Sequence, residues 1–225
     1  TTISLSDGAG VRRVIFDNMF LSLSQSAQLT LQTDASAEPI VALREDFRDN
    51  GVIISYNAII IKACAMALKR HPGINASVDG DRIQVWENIH IGLAMEANGN
   101  LVVPVVRSPD PKTIPEIEGE LKVLMDKAAG NRINPDDLAK GTFTISNLGF
   151  VGVDHFTPII RPPESAVLGL GRIMKKPVVR DNRVVPESRI SLSLTFDHRI
   201  IDGAPAGRFL KTIVDMIEKP ALMFL

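Results

Sequence analysis

Cysteine is almost missing from the sequence: Cys64 is the single one among 225 residues. An internal disulfide is thereby excluded, and with it a disulfide-stapled scaffold; a lone cysteine fits a reducing compartment. An excess of either charge is missing as well. The 25 Lys and Arg against 26 Asp and Glu leave a formal net charge of −1, so the broad basic footprint of a nucleic-acid binder is absent and an anionic ligand must be met by a few local residues. Nor is there a long hydrophobic run. The most apolar stretch, Asn57 to Leu68, is interrupted by Lys62 and falls short of the roughly 20 residues that cross a bilayer. It reads as a buried helix, and neither a membrane nor a nucleic acid is expected as a partner. Repeats, low-complexity tracts and an obvious linker are also missing, which points to one domain over residues 1–225. The chain opens on Thr1 with neither Met nor a targeting pattern, so it is expected to be one domain cut from a longer protein.

What is present is the composition of an ordinary globular domain. Hydrophobic residues make up 45% and charged ones 23%, in a chain long enough to bury about 70% of its unfolded surface. Val11, Val14, Ile15, Met19 and Leu23 recur at helical spacing between Val11 and Ala27, with Arg12 and Arg13 beside the apolar stripe. Leu29 to Thr33 alternates like a strand, Pro39 opens a helix that stops at Asn50-Gly51, and Ser55 caps a third helix running to His71-Pro72. Asp79-Gly80-Asp81 and Asn98-Gly99 are hairpin turns, the first between Ile74–Val78 and Arg82–Val85, the second between Ile89–Glu96 and Leu101–Val106. Lys112 to Ala129 returns to helical spacing. Strands are then predicted at Thr142–Ser146, Ser165–Arg172, Val178–Arg180, Arg183–Val185 and Ile190–Asp197, with a closing helix over Asp202–Glu218. Helices mixed with antiparallel hairpins predict an α+β fold, a mixed β-sheet with packed helices, in preference to a doubly wound parallel one.

Four histidines stand at positions 71, 90, 155 and 198. His71 ends a helix, where a cation complements the dipole; His90 lies in an alternating strand and His155 in a loop, neither with a partner at motif spacing, so all three read as structural. His198 differs. It follows a strongly alternating strand, Ser191 to Phe196, and Asp202 and Gly203 come next, allowing a sharp turn whose carboxylate holds the loop that carries the imidazole. Metal ligation together with Asp154 or His155 competes with this reading, as does a loop tied to a cation. Zinc spacings such as His-Glu-x-x-His or paired Cys-x-x-Cys are absent, and no metal is expected. Cys64 reads as packing in an apolar helix. Gly169-Leu170-Gly171 lacks the third glycine and following helix of a dinucleotide fingerprint and reads as close backbone packing in a strand.

Taken in order, Val11-Arg12-Arg13-Val14-Ile15, Leu101-Val102-Val103-Pro104-Val105-Val106, Gly141 to Gly149, Pro158 to Glu164 and Phe196 to Ala204 resemble the catalytic cores of the dihydrolipoamide acyltransferases of 2-oxo acid dehydrogenase complexes. The likeness spans nearly the whole chain. His-x-x-x-Asp-Gly alone is short, but its order with the other stretches is specific. The resemblance implies a chloramphenicol acetyltransferase-like fold. It also implies movement of an acyl group, acetyl in the first place, between dihydrolipoyl-lysine and coenzyme A in a complex of the pyruvate or acetoin type. His198 then acts as the general base on the thiol of coenzyme A, because a thiol of pKa about 8.5 is mostly protonated at neutral pH and only the thiolate attacks well. Ser146 matches the hydroxyl donor to the oxyanion, the competing reading being a strand-end serine that caps local backbone. Asp202 matches a carboxylate that pairs with an arginine of the first helix, Arg12 or Arg13, and with Gly203 supports the loop around His198.

The same resemblance implies a homotrimer in which serine and histidine of one centre come from neighbouring subunits. Trimers of this family join into a larger hollow core through an apolar C-terminal anchor, here residues 220–225 with Leu222, Met223, Phe224 and Leu225; the alternative folds this tail onto its own subunit. Coenzyme A is a substrate. The lipoyl group is expected on a missing or separate domain, and dehydrogenase and dihydrolipoamide dehydrogenase subunits are expected partners through the missing lipoyl and peripheral-subunit-binding domains. The expected location is the cytoplasm, or the mitochondrial matrix in a eukaryote. Ala27-Gln28-Leu29 departs from the Pro-His pair that precedes the first strand in many members, which alters contacts near the channel entrance. Three alternatives remain open: a branched-chain acyl version, a catalytically silent core subunit and a free-standing small-molecule acetyltransferase. The intact His198, Asp202 and Ser146 oppose the second, and the apolar tail opposes the third.

Overall fold

Short-range chemistry starts and stops most of the elements. The computed structural model describes the backbone of residues 9–225 and the side chains of residues 13–225 other than Asp79. Helix α1 (Ala9–Gln25) leads into β1 (Gln28–Ser36), α2 (Glu38–Asp49) and α3 (Tyr56–Arg70). Ser55 caps α3 as expected, its hydroxyl accepting the Ala58 N–H at 3.2 Å. The turn at Gly80 (φ +58°) folds β2 (Ala76–Asp79) onto β3 (Arg82–Val85), and Asn98-Gly99, both left-handed, folds β4 (His90–Ala97) onto β5 (Asn100–Val102). After Pro104, β6 (Val105–Arg107) pairs again with β4. Helix α4 (Ile114–Ala129) starts in a capping box of Thr113 and Glu116.

The last part of the chain holds α5 (Pro135–Leu138), β7 (Phe143–Asn147), β8 (Ala166–Leu170), β9 (Met174–Arg180), β10 (Arg183–Asp197) and α6 (Gly203–Glu218). The expected strand Leu101–Val106 is divided at Val103-Pro104 into β5 and β6, β9 starts four residues earlier than expected, and two further elements differ. The short α5 was not foreseen, although Asn134 and Asp137 form its capping box. β10 is one strand of 15 residues, where two were expected on either side of Pro186. Proline is tolerated there because this end of β10 pairs only with β9, Pro186 opposite Pro177, before β1 and β8 join the ladder.

The main sheet runs β1-β10-β8-β7-β4-β5, with β4, β7 and β8 parallel to one another and the remaining pairings antiparallel. Strand β10 shows how it divides the molecule. Leu192, Leu194 and Phe196 enter the hydrophobic core with Phe143, Ile145 and residues of α3 and α6. Between them Ser191, Ser193, Thr195 and Asp197 point to the other face, also buried, where Asp34, Gln32 and Thr30 of β1 bond the first three. Residues 154–160 cover this second face so closely that a Cβ on Gly169 would meet the Phe156 ring at 2.9 Å, and one on Gly171 the Asp154 carbonyl oxygen at 1.9 Å. The two glycines are close-packing positions, as read from the sequence.

Helix α1 corrects an expectation. Of its expected apolar stripe, Ile15 and Met19 are partly buried but Val14 and Leu23 are each 57% exposed, Val11 lies outside the described side chains, and among its described residues only Ser22 is buried, donating to the Ile160 carbonyl at 2.6 Å. The C-terminal tail corrects another. Met223 is fully buried in its own chain and Leu222 packs against the core, with the Leu222 carbonyl accepting from Arg70. Of the four expected anchor residues, Phe224 and Leu225, 60% and 85% exposed, project outward.

Candidate active site

Strand β10 ends at Asp197, and the chain leaves it in a tight loop. The Ile200 and Ile201 N–H groups both donate to the Asp197 carbonyl at 3.0 Å before α6 begins. The backbone ahead of β1 clasps this loop on both sides, since His198 N–H donates to the Ala27 carbonyl at 2.8 Å and Ala27 N–H donates to Asp197 Oδ1 at 3.2 Å. The buried Asp197 carboxylate also accepts from the Arg199 N–H at 3.0 Å and from its guanidinium at 2.6 Å. Burial pushes this acid up, but the Arg199 bonds outweigh it and hold the carboxyl below the usual range. The His198 ring lies tilted against Phe196, 5.7 Å between centroids, and is 44% exposed. An imidazole so placed can exchange a proton with a bound solute.

Asp202 and Arg13 do not meet. The Asp202 side chain is 85% exposed, and its nearest oxygen stands 3.9 Å from His198 Nδ1, too long for a hydrogen bond. Arg13 bonds instead to Asp17, one turn along α1, at 2.8 Å; the Arg12 side chain lies outside the described residues. The carboxylate that holds the loop is Asp197, because it is buried beneath the loop while Asp202 faces solvent. Gly203 opens α6 where an added Cβ would meet nothing within 4 Å, so the bonds to the Asp197 carbonyl, rather than a glycine turn, make the loop tight.

Ser146 lies on β7, on the face of the sheet away from the hydrophobic core. It lines a cleft of about 800 Å³ with Ile15 and Met19 of α1, Leu101, Val103 and Phe156, and with Arg161 as the one cation of the lining among the described residues. The local backbone cap is made by its neighbour: Asn147 Oδ1 accepts the Gly149 N–H at 2.9 Å. Ser146 is level with Gly169 on β8 and Ser193 on β10, five residues short of His198. At about 3.3 Å per residue and 4.8 Å per strand, Ser146 and His198 are roughly 19 Å apart. They cannot act on one acyl group within a single chain.

The other histidines are engaged elsewhere. His71 Nε2 lies 2.8 Å from Thr212 Oγ1, His90 Nδ1 accepts the Ser108 N–H at 3.2 Å, and His155 Nε2 lies 3.4 Å from Ser191 Oγ. Among the described residues no group of three His, Cys, Asp or Glu could hold a metal, and no helix is long and apolar enough to cross a membrane. Burial holds the Cys64 thiol well above its ordinary range. Glu164 was not anticipated. Its side chain is 1% exposed and its Oε2 has no partner; burial pushes the carboxyl up to about 7, although Arg161 Nη1 lies 3.6 Å away. It borders a cavity of about 420 Å³ with Trp86, His90 and Arg161.

The family model of the 2-oxoacid dehydrogenases acyltransferase catalytic domain matches residues 4–225. The chain belongs to this acyltransferase family. Two curated relatives of the acyltransferase domain are each 36% identical over 96% of this chain. One is the dihydrolipoyllysine-residue acetyltransferase component of the acetoin cleaving system of Bacillus subtilis (strain 168), covered over 56% of its length. The other is the succinyltransferase component of the 2-oxoglutarate dehydrogenase complex of Azotobacter vinelandii, covered over 55%. The chain thus spans little more than half the length of these relatives.

Among solved structures, the dihydrolipoamide acetyltransferase of Azotobacter vinelandii matches with a TM-score of 0.91 at 30% identity, over 96% of this chain and 91% of that one. The cubic core of the pyruvate dehydrogenase multienzyme complex matches equally at 0.91, with 29% identity over 100% and 99%. Chloramphenicol acetyltransferase, at 17% identity and 0.57 over 96% and 99%, shares the fold alone. The expected α+β fold of that kind is the one found. In the Azotobacter enzyme a serine, a histidine and an asparagine have a role in the catalytic mechanism, and they are spaced along its chain as Ser146, His198 and Asp202 are in the acyltransferase domain. The motif holds Asp197 and Arg199 as well, and a carboxylate and a guanidinium on either side of a histidine are the sequence signal for their pairing.

Proposed function

We propose that this domain moves an acyl group, acetyl in the first place, between dihydrolipoyl-lysine and coenzyme A. The observation that carries the proposal is the placement of His198: a half-exposed imidazole on a clasped loop, at the same interval from Ser146 as the catalytic histidine and serine of the Azotobacter acetyltransferase. His198 takes the proton of the coenzyme A thiol, and the thiolate attacks the carbonyl carbon of the acyl-dihydrolipoyl thioester. The electron pair moved onto the carbonyl oxygen is met by the Ser146 hydroxyl. Collapse of this intermediate breaks the bond to the dihydrolipoyl sulfur, which receives the proton back from His198. The apolar lining of the Ser146 cleft, whose one cation among the described residues already donates to the Leu138 carbonyl, supports a small uncharged acyl group over succinyl; relatives of equal identity carry either.

Because Ser146 and His198 of one chain are too far apart, the working unit is a homotrimer with each centre shared between neighbours. The exposed apolar residues of α1 beside the cleft support this. Trimers assemble further through Phe224 and Leu225 into a hollow core; the match to the cubic core of the pyruvate dehydrogenase multienzyme complex supports a multimeric core. Lipoyl and peripheral-subunit-binding domains, and through them the dehydrogenase and dihydrolipoamide dehydrogenase subunits, complete the complex.

The assay supplies acetyl-coenzyme A and dihydrolipoamide to the purified assembly and follows acyl-dihydrolipoamide. Turnover is expected, faster with acetyl than with succinyl, and His198→Ala is expected to lose about 10²- to 10⁴-fold in kcat. Acyl transfer only to hydroxyl acceptors, or full turnover in His198→Ala, rejects the proposal.

A further inference from the structure

We infer that Asp197 and Arg199 are a brace that sets the position of His198, and that both are positioning residues for acyl transfer. The inference rests on the role proposed for His198. Four N–H groups converge on the Asp197 carboxylate: those of Ala27 and Arg199 from the backbone, and Nε and Nη2 of the Arg199 side chain, at 2.6–3.2 Å. The ion pair therefore closes across the histidine, joining the residue before it to the residue after it. His198 N–H is held by the Ala27 carbonyl, and the Asp197 carbonyl accepts from Ile200 and Ile201. With both flanking residues and its own N–H fixed, the Cα–Cβ bond of His198 has a set direction, and the ring keeps only its side-chain rotations, one side resting on Phe196.

Among the described residues no other carboxylate or guanidinium near the loop offers this hold. Asp202 stands 3.9 Å from the ring and is largely in solvent. The brace also has an accessible half. Asp197 is buried, but the Arg199 side chain is 47% exposed and borders a cavity of about 590 Å³ together with Asp197, Ser22 and Gln25. A general base displaced by about 1 Å loses on the order of 10²-fold in rate while substrates still bind, and this separates a positioning role from upkeep of the fold.

The test uses Asp197→Asn, Arg199→Gln and Arg199→Ala in the assembled protein. A fall in kcat of about tenfold or more is expected in each, with KM for coenzyme A and for dihydrolipoamide each held within about twofold. Particle mass and melting temperature of the two Arg199 variants should match the parent protein. Millimolar methylguanidinium should restore kcat at least about threefold in Arg199→Ala and have no effect on His198→Ala. If Asp197→Asn does not assemble, the Arg199 variants decide. Parental kcat in Arg199→Gln, or a lost kcat that moves together with KM and ignores methylguanidinium, overturns the brace while His198→Ala remains inactive. A parent protein without turnover, or an active His198→Ala, overturns instead the reading on which the inference rests.

Discussion

Ser146 on β7 and His198, the first residue past the end of β10, stand two strands and five residues apart, so roughly 19 Å separates the two residues proposed to act on one acyl group. The separation gives the first prediction. Ser146→Ala and His198→Ala should each be nearly inactive alone, whereas the two chains denatured together and reassembled at equal ratio should recover activity. If each centre takes its serine from one subunit and its histidine from the next, one half times one half of the centres are intact, about a quarter of the parental rate. Mixed assemblies without activity would mean that one chain supplies both groups.

Glu164 predicts a pH dependence of stability. Its folded carboxyl titrates near 7 against an ordinary 4.5, so the folded chain keeps a proton that the unfolded chain releases between those values. The contribution is complete below pH 4.5 and is lost as the pH rises through 7, by up to about 3 kcal/mol. Glu164→Gln keeps the neutral shape at every pH, so its melting temperature should fall less between pH 5 and pH 8 than that of the parent. Asp197, whose shift has the opposite sign, is present in both proteins and cancels. Equal pH slopes would show that Glu164 is ionised in the folded state.

The tail separates into two parts. Removing Phe224 and Leu225 should leave the melting temperature of the subunit nearly unchanged and reduce the particle mass, because both side chains are exposed. Removing residues 221–225 also empties the Met223 site in the core and should cost about 2–5 kcal/mol of stability as well. Mass spectrometry of the intact particle and thermal melts read the two effects apart.

Two glycines should respond in opposite directions. Gly171→Ala places a methyl group 1.9 Å from the Asp154 carbonyl oxygen and should destabilise by about 3 kcal/mol. Gly119→Ala, inside α4 with nothing within 4 Å of the new methyl, should stabilise by about 0.5–1 kcal/mol. Urea unfolding of both variants checks the pair.

The elements were legible wherever a local bond decides them. Ser55, Asn98-Gly99 and Pro39 act on residues within four positions, and the elements begin or turn where these residues place them. The continuous β10 was not legible, because tolerance of Pro186 depends on which side of the strand lacks a neighbour, a property of pairings more than 100 residues away in the chain.

The sequence by itself determined the five long helices, the hairpins and the choice of His198 as the candidate base, since periodicity, turn chemistry and a motif in order are all properties of neighbouring residues. Only the tertiary structure decided which carboxylate is bonded to its loop. Asp197 and Asp202 are equally available in the sequence, but the register of β10 against β1 buries the first against the Ala27 backbone and leaves the second in water. Likewise Phe224 and Met223 are both apolar tail residues, and packing against the core alone turns one inward and the other out. Burial, and the bonds that burial makes necessary, are set by contacts between distant parts of the chain.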